Sequence, residues 1–172
     1  MLANSVAILV GLFTALASTA HATPVPSHRS QLRRSISARI SSSPDMCIGV
    51  EVLENGAQVF EKNCTNSNPN STTPFYNQWD IVPGNNQVVR LSGLPERSGD
   101  FCLDSGDSTR WYPAAKIWTC YPGMPGQQWY YTEDKHLAVT GGNRCLESGR
   151  YILTYNSCSE SSGYGNQVWE LL

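Results

Sequence analysis

Three tryptophans of this chain stand in the same local setting. Gln127-Gln128-Trp129 lies in "GQQWYY", Gln167-Val168-Trp169 in the C-terminal "GNQVWELL", and a damaged copy, Asn77-Gln78-Trp79, in "YNQWDI". A pair of cysteines precedes each one: Cys47 and Cys64, Cys102 and Cys120, Cys145 and Cys158. The first cysteines are 55 and then 43 residues apart, and the tryptophans 50 and then 40, so three units run in parallel. A unit of this size cannot bury its apolar face alone, and three of them must close on a shared core. That also explains the apolar end of the chain. "VWELL" would be the closing strand of the third unit and not a frayed, polar tail.

Short apolar runs bounded by turn residues predict strands, among them "VVRLSG", "KIWTC", "QWYYT", "HLAVTG" and "YILTY". The glycines and prolines between them leave no room for a long amphipathic helix. The expected class is all-β.

Outside the repeat the N-terminus divides in two. Val6 to Ala17 reads "VAILVGLFTALA", the length of a signal-peptide core and too short to span a bilayer. Ala20-His21-Ala22 follows as an A-x-A cleavage pattern, so residues 1–22 are expected to be a signal peptide. Residues 23–43 are rich in Ser, Pro and Arg and poor in large apolar residues, the composition of a propeptide or disordered linker. Arg33-Arg34 would suit a dibasic processing protease. The alternative is a flexible basic arm that stays attached. The folded domain is then expected at 44–172.

Without Arg29, Arg33, Arg34 and Arg39, eight basic residues remain against 14 acidic ones, a net charge of −6. An acidic domain with no basic run argues against nucleic acid and against anionic membrane surfaces. All six cysteines fall in the domain. An even count behind a signal peptide implies disulfides in a secreted protein. One pair per unit suggests Cys47–Cys64, Cys102–Cys120 and Cys145–Cys158. Zinc is a poor alternative, because no C-x-x-C occurs and His136 is the only histidine after residue 43.

Cys-Leu-Asp, an aromatic just before a second Cys, and a downstream Gln-x-Trp, three times over, resemble the ricin B-chain type of lectin domain. The resemblance covers about residues 45–172. It implies a β-trefoil of twelve strands with pseudo-threefold symmetry, and glycans or glycoproteins as partners. It also implies that Trp79, Trp129 and Trp169 pack in the core and do not meet ligand. In that family the sugar is held by the Asp of Cys-x-Asp, by an aromatic two residues before the second Cys, and by the Asn of Asn-Gln-x-Trp. A carboxylate accepts hydrogen bonds from two neighbouring hydroxyls, and an aromatic face packs on the C–H face of the ring.

The first unit fits this pattern badly. Gly49 replaces the Asp, Lys62 the aromatic, and "NQW" reads as one residue short; it is expected to be structural. The second unit offers Asp104 and Trp118 but has Gly126 in place of the Asn, with Gln127 as a substitute amide and Trp111 and Tyr112 as a further platform. The third offers Asn166, Glu147 one methylene longer than Asp, and Tyr155 three residues before Cys158, one step out of register. One step turns a side chain to the opposite face of a strand unless a bulge corrects it. The carbohydrate-binding set expected is therefore Asp104, Trp118, Gln127, Glu147, Tyr155 and Asn166. Asn63-Cys64-Thr65 and Asn70-Ser71-Thr72 are N-glycosylation sequons.

No Ser/His/Asp motif, glycosidase carboxylate pair or phosphate loop emerges. The expectation is a secreted, non-catalytic, metal- and cofactor-independent lectin for galactose-type or related glycans. The alternative is a secreted trefoil that has lost sugar binding and acts through its loops on a protein target, as an inhibitor or effector.

Overall fold

Every strand among the described residues is four residues or shorter, as the dense turn punctuation predicts. The computed structural model describes residues 36–66, 72–82, 86–107, 109–110, 113–141, 143–149, 152–155, 157–158 and 166–172. The expected signal peptide, Arg33-Arg34, Asn70, Trp111 and Tyr112 lie outside the described residues, as does the side chain of Tyr155.

The chain enters through β1 (Ile36–Ala38) and then builds three units of four strands. The first is β2 (Ile40–Ser43), β3 (Met46–Gly49), β4 (Phe60–Asn63) and β5 (Gln78–Ile81). The second is β6 (Arg90–Ser92), β7 (Phe101–Asp104), β8 (Lys116–Thr119) and β9 (Trp129–Tyr131). The third is β10 (Leu137–Val139), β11 (Arg144–Glu147), β12 (Leu153–Tyr155) and β13 (Glu170–Leu171). The last strand of each unit pairs with the first strand of the next, antiparallel: β5 with β6, β9 with β10, and β13 back with β2. Three sheets result, β13-β2-β3-β4, β5-β6-β7-β8 and β9-β10-β11-β12, with β1 added to the outer edge of β5. The pattern is that of a β-trefoil, closed on itself through its two chain ends.

The repeat works through its tryptophans. Trp79, Trp129 and Trp169 are all buried, and each indole N–H needs a partner there. Each finds the same one. Nε1 donates to the carbonyl of the residue after the first cysteine: Ile48 at 3.0 Å, Leu103 at 2.9 Å and Leu146 at 3.0 Å. Those aliphatic residues are themselves fully buried and join Ile40, Ile117, Leu137 and Ile152 in one core. Truncating one such ring to Ala would cost about 3–5 kcal/mol.

The cysteines are joined as Cys47–Cys64, Cys102–Cys120 and Cys145–Cys158, with Cα–Cα distances of 4.9, 5.0 and 5.1 Å. Each closes its own unit's β-hairpin and is worth roughly 3 kcal/mol in the chain-entropy view.

The folded unit reaches further upstream than residue 44. β1 and β2 fall inside the stretch 23–43 expected to be linker. Ser37, Arg39 and Ser41 alternate there with Ile36, Ala38 and Ile40, which is strand periodicity hidden in a serine-rich composition. Ala38 and Ile40 are buried. Arg39 and Leu172 exchange both backbone hydrogen bonds, at 2.9 and 3.0 Å, so the closing strand has its partner in this segment.

Candidate functional site

Threefold symmetry allows the three units to be compared position by position. Trp118 lies opposite Cys102 across β7–β8, Lys62 opposite Cys47 across β3–β4, and Tyr155 opposite Cys145 across β11–β12. Tyr155 is therefore in register with Trp118, although it stands three residues before its cysteine. The extra residue falls after the strand, between Tyr155 and Cys158, and the expected misregister does not occur.

The Trp signature is aligned by its own backbone bonds. Val50, Ser105 and Ser148 each donate to the residue three before the tryptophan: Tyr76 at 3.0 Å, Gly126 at 2.9 Å and Asn166 at 2.8 Å. The first unit is thus not one residue short. Tyr76 holds the place of the Asn, and Asn77 the place of the Gln.

The glutamine position turns inward. Gln127 is wholly buried. Its Oε1 accepts from Tyr121 N at 2.9 Å, and its Nε2 donates to Thr119 O at 3.0 Å and to Asp104 Oδ2 at 3.4 Å. Gln167 likewise donates to Ser157 O at 2.9 Å, and Asn77 to Cys64 O at 3.2 Å. These amides tie each disulfide hairpin to its tryptophan strand. Gln127, expected as a substitute amide, has its side chain engaged with the protein and touches the Asp104 carboxylate.

The first unit has no room for a ligand carboxylate. A Cβ at Gly49 would lie 2.2 Å from Tyr76 O and 2.9 Å from the Phe75 ring. Lys62 is ion-paired to Glu51 and sits 5.4 Å from the Phe60 ring centroid.

In the third unit the polar groups are taken up internally. Glu147 is buried, with Oε2 accepting from Gln167 Nε2 at 2.8 Å. Asn166 donates through Nδ2 to Ser42 O at 3.1 Å and Val168 O at 3.0 Å, and accepts from Val168 N at 2.9 Å. Its amide fastens the C-terminal signature to β2, so Asn166 and Glu147 both hydrogen-bond within the protein.

The second unit is different. Asp104 is only half-buried, and Oδ1 accepts from Gly106 N at 2.9 Å. A Cβ at Gly126 would lie 3.7 and 3.8 Å from the two carboxylate oxygens and 3.2 Å from Ser105 Oγ. With glycine there, that side of the carboxylate stays uncovered. Gly126 also lines a cleft of about 280 Å³ between the second and third units, walled by Gly106, Pro125 and Gly126 on one side and Thr140, Gly141 and Arg144 on the other. On the other flank, Asp104 lies opposite Lys116 in the β7–β8 register, so Asp104, Lys116 and Trp118 share one face of the hairpin. Lys116 Nζ lies over the Trp118 ring, 4.6 Å from its centroid. A sugar packing on that ring face must displace the ammonium.

Two cations thus flank the carboxylate, and reading single motifs missed both. Arg144 donates through Nη2 to Ser105 Oγ at 2.6 Å. Burial pushes its pKa down, and the Asp104 charge pushes it back up. Lys116 was visible as the residue two before Trp118, hence on the same face of a strand. Arg144 was visible as the one charged residue among the three that precede a unit's first cysteine, where Met46 and Phe101 are apolar.

Among the described residues no group of three His, Cys, Asp or Glu could hold a metal ion. The three disulfides are those of an oxidising, extracellular-type compartment. A search of curated proteins found no match. A scan against family models matched residues 94–172 to the ricin-type beta-trefoil lectin domain. The match covers the second unit from β7 onward and the whole third unit, in which the sugar-binding pattern is partly kept, and leaves out the first, in which the position is filled by Phe75 and Tyr76.

Proposed function

We propose that the protein is a secreted lectin whose working site is in the second unit and takes galactose-type or related glycans, on the premise that residues 94–172 match the ricin-type beta-trefoil lectin domain, a family of carbohydrate binders. The observation that carries this is the Asp104 carboxylate. Gln127 and Gly106 fix it from behind, and Gly126 leaves it open beside a cleft. In this reading Asp104 accepts from two sugar hydroxyls and Trp118 supplies the apolar face. In the third unit Tyr155 holds the equivalent register, and Glu147 and Asn166 hydrogen-bond within the protein, so this unit is the weaker candidate.

Secretion is supported by the apolar N-terminal segment with its A-x-A pattern and by the disulfides. A second cut after Arg34 would leave every described strand in place, since β1 begins at Ile36. Asn63 is exposed, and its Oδ1 accepts from Thr65 N and Oγ1 at 2.9 and 2.5 Å, leaving Nδ2 to receive a glycan. The test is a glycan array probed with the protein purified from culture medium. Galactose-terminated glycans should give the signal. A blank array would favour the loop-effector reading, for which Tyr121 and Met124, 48% and 41% exposed beside Pro125, supply a surface.

A further inference from the structure

We propose that the cleft between the second and third units is a subsite for an acidic group, carboxylate or sulfate, on the glycan held by Asp104. The proposal rests on the lectin reading and narrows its ligand class.

Ser105, Gly106 and Gly126 line the cleft, and Gly126 lies beside the Asp104 carboxylate, so a ligand held by Asp104 would enter the cleft past Gly126. Its distinctive group is Arg144. Nη2 is fixed by Ser105 Oγ, while Nη1 is buried with no hydrogen-bond partner among the described residues. Arg144 forms no ion pair there either. A buried guanidinium nitrogen without an acceptor is unfavourable; Nη1 is shielded from solvent as the protein stands, so an oxyanion in the cleft that Arg144 lines would offset this with a charge-assisted bond once the side chain turns toward it.

The fold itself does not require a cation at this position. Met46 and Phe101 occupy it in the other two units, and Phe101 is buried. On the far flank of Asp104, Lys116 also lacks an ion-pair partner among the described residues and adds positive charge. Two unpaired cations around one carboxylate give this patch a positive balance on an otherwise acidic domain. Sugars that carry an acid a short distance from their free hydroxyls match that arrangement. Neutral glycans use only its centre.

The experiment is calorimetric titration of three ligands into the mature protein: N-acetyllactosamine, its sialylated form and its 3-O-sulfated form. At least one acidic form should bind about tenfold or more tighter than the neutral parent, with the advantage fading as salt rises. The better of the two identifies the acid. Arg144→Met, a side chain that the fold accepts at Met46, should bring the acidic-to-neutral affinity ratio close to one, and Arg144→Lys should keep part of it. Equal binding of all three ligands by the wild type would overturn the proposal and leave the lectin reading standing. So would a ratio unchanged in Arg144→Met, or equal loss of neutral and acidic binding in that variant. Binding of none of the three would overturn the lectin reading and this inference with it.

Discussion

Gln127 donates to Asp104 Oδ2 at 3.4 Å from a fully buried position, while its other amide contacts hold Tyr121 N and Thr119 O. One side chain therefore braces the second disulfide hairpin and orients the half-buried carboxylate. Gln127→Leu removes both functions. It should destabilise the protein by about 1–3 kcal/mol, the penalty for leaving partly buried backbone groups unpaired. Glycan affinity should fall as well, because Asp104 loses its support. Urea unfolding and glycan titration of the same variant measure the two effects.

The fold was legible where the signal was repeated. Three Trp signatures and three cysteine pairs predicted three units around one core and the disulfide partners, because each unit restates the same geometry, and the family resemblance implied the trefoil. Errors arose where a single local pattern was judged alone. Serines concealed the alternation of Ile36, Ala38 and Ile40. Counting back from Cys158 left the register of Tyr155 open, because sequence does not say on which side of a strand an added residue falls. Asp104 and Trp118 entered the proposed site through the family resemblance, by their places near Cys102 and Cys120. Gly126 read as a lost amide, whereas in space it is what leaves the carboxylate open.

The N-terminal boundary gives a direct test. Removing residues up to 35 should leave a cooperatively folding protein, since every described strand remains. Removing residues up to 43 takes away buried Ala38 and Ile40 and the backbone partners of Leu171 and Leu172. The shorter chain should lose its sharp thermal transition, as followed by circular dichroism.

Glu61 predicts a pH dependence. It is half-buried on β4, and burial raises its pKa above the ordinary value of 4.5, while a hydrogen bond from Ser42 lowers it in part. A raised carboxyl pKa means that the folded state favours the protonated form. This contribution to stability is present below pH 4.5 and is lost as pH rises through the folded pKa. Glu61→Gln keeps an acceptor for Ser42 and removes the charge. Its melting temperature should exceed that of the wild type at pH 7, and the gap should close below about pH 4. Thermal melts across that range check it.

The central claim is that the second unit carries the sugar site, and titration of the best galactose-type array hit into Asp104→Asn and Glu147→Gln tests it most directly. A carboxylate holding sugar hydroxyls makes charged hydrogen bonds worth about 1.5–3 kcal/mol, so Asp104→Asn should weaken binding by about tenfold or more. Glu147 is buried against Gln167, and Glu147→Gln should leave affinity within about twofold. Intact circular dichroism spectra would show that both variants are folded. Loss of binding in Glu147→Gln with full binding in Asp104→Asn would contradict the account and move the site to the third unit.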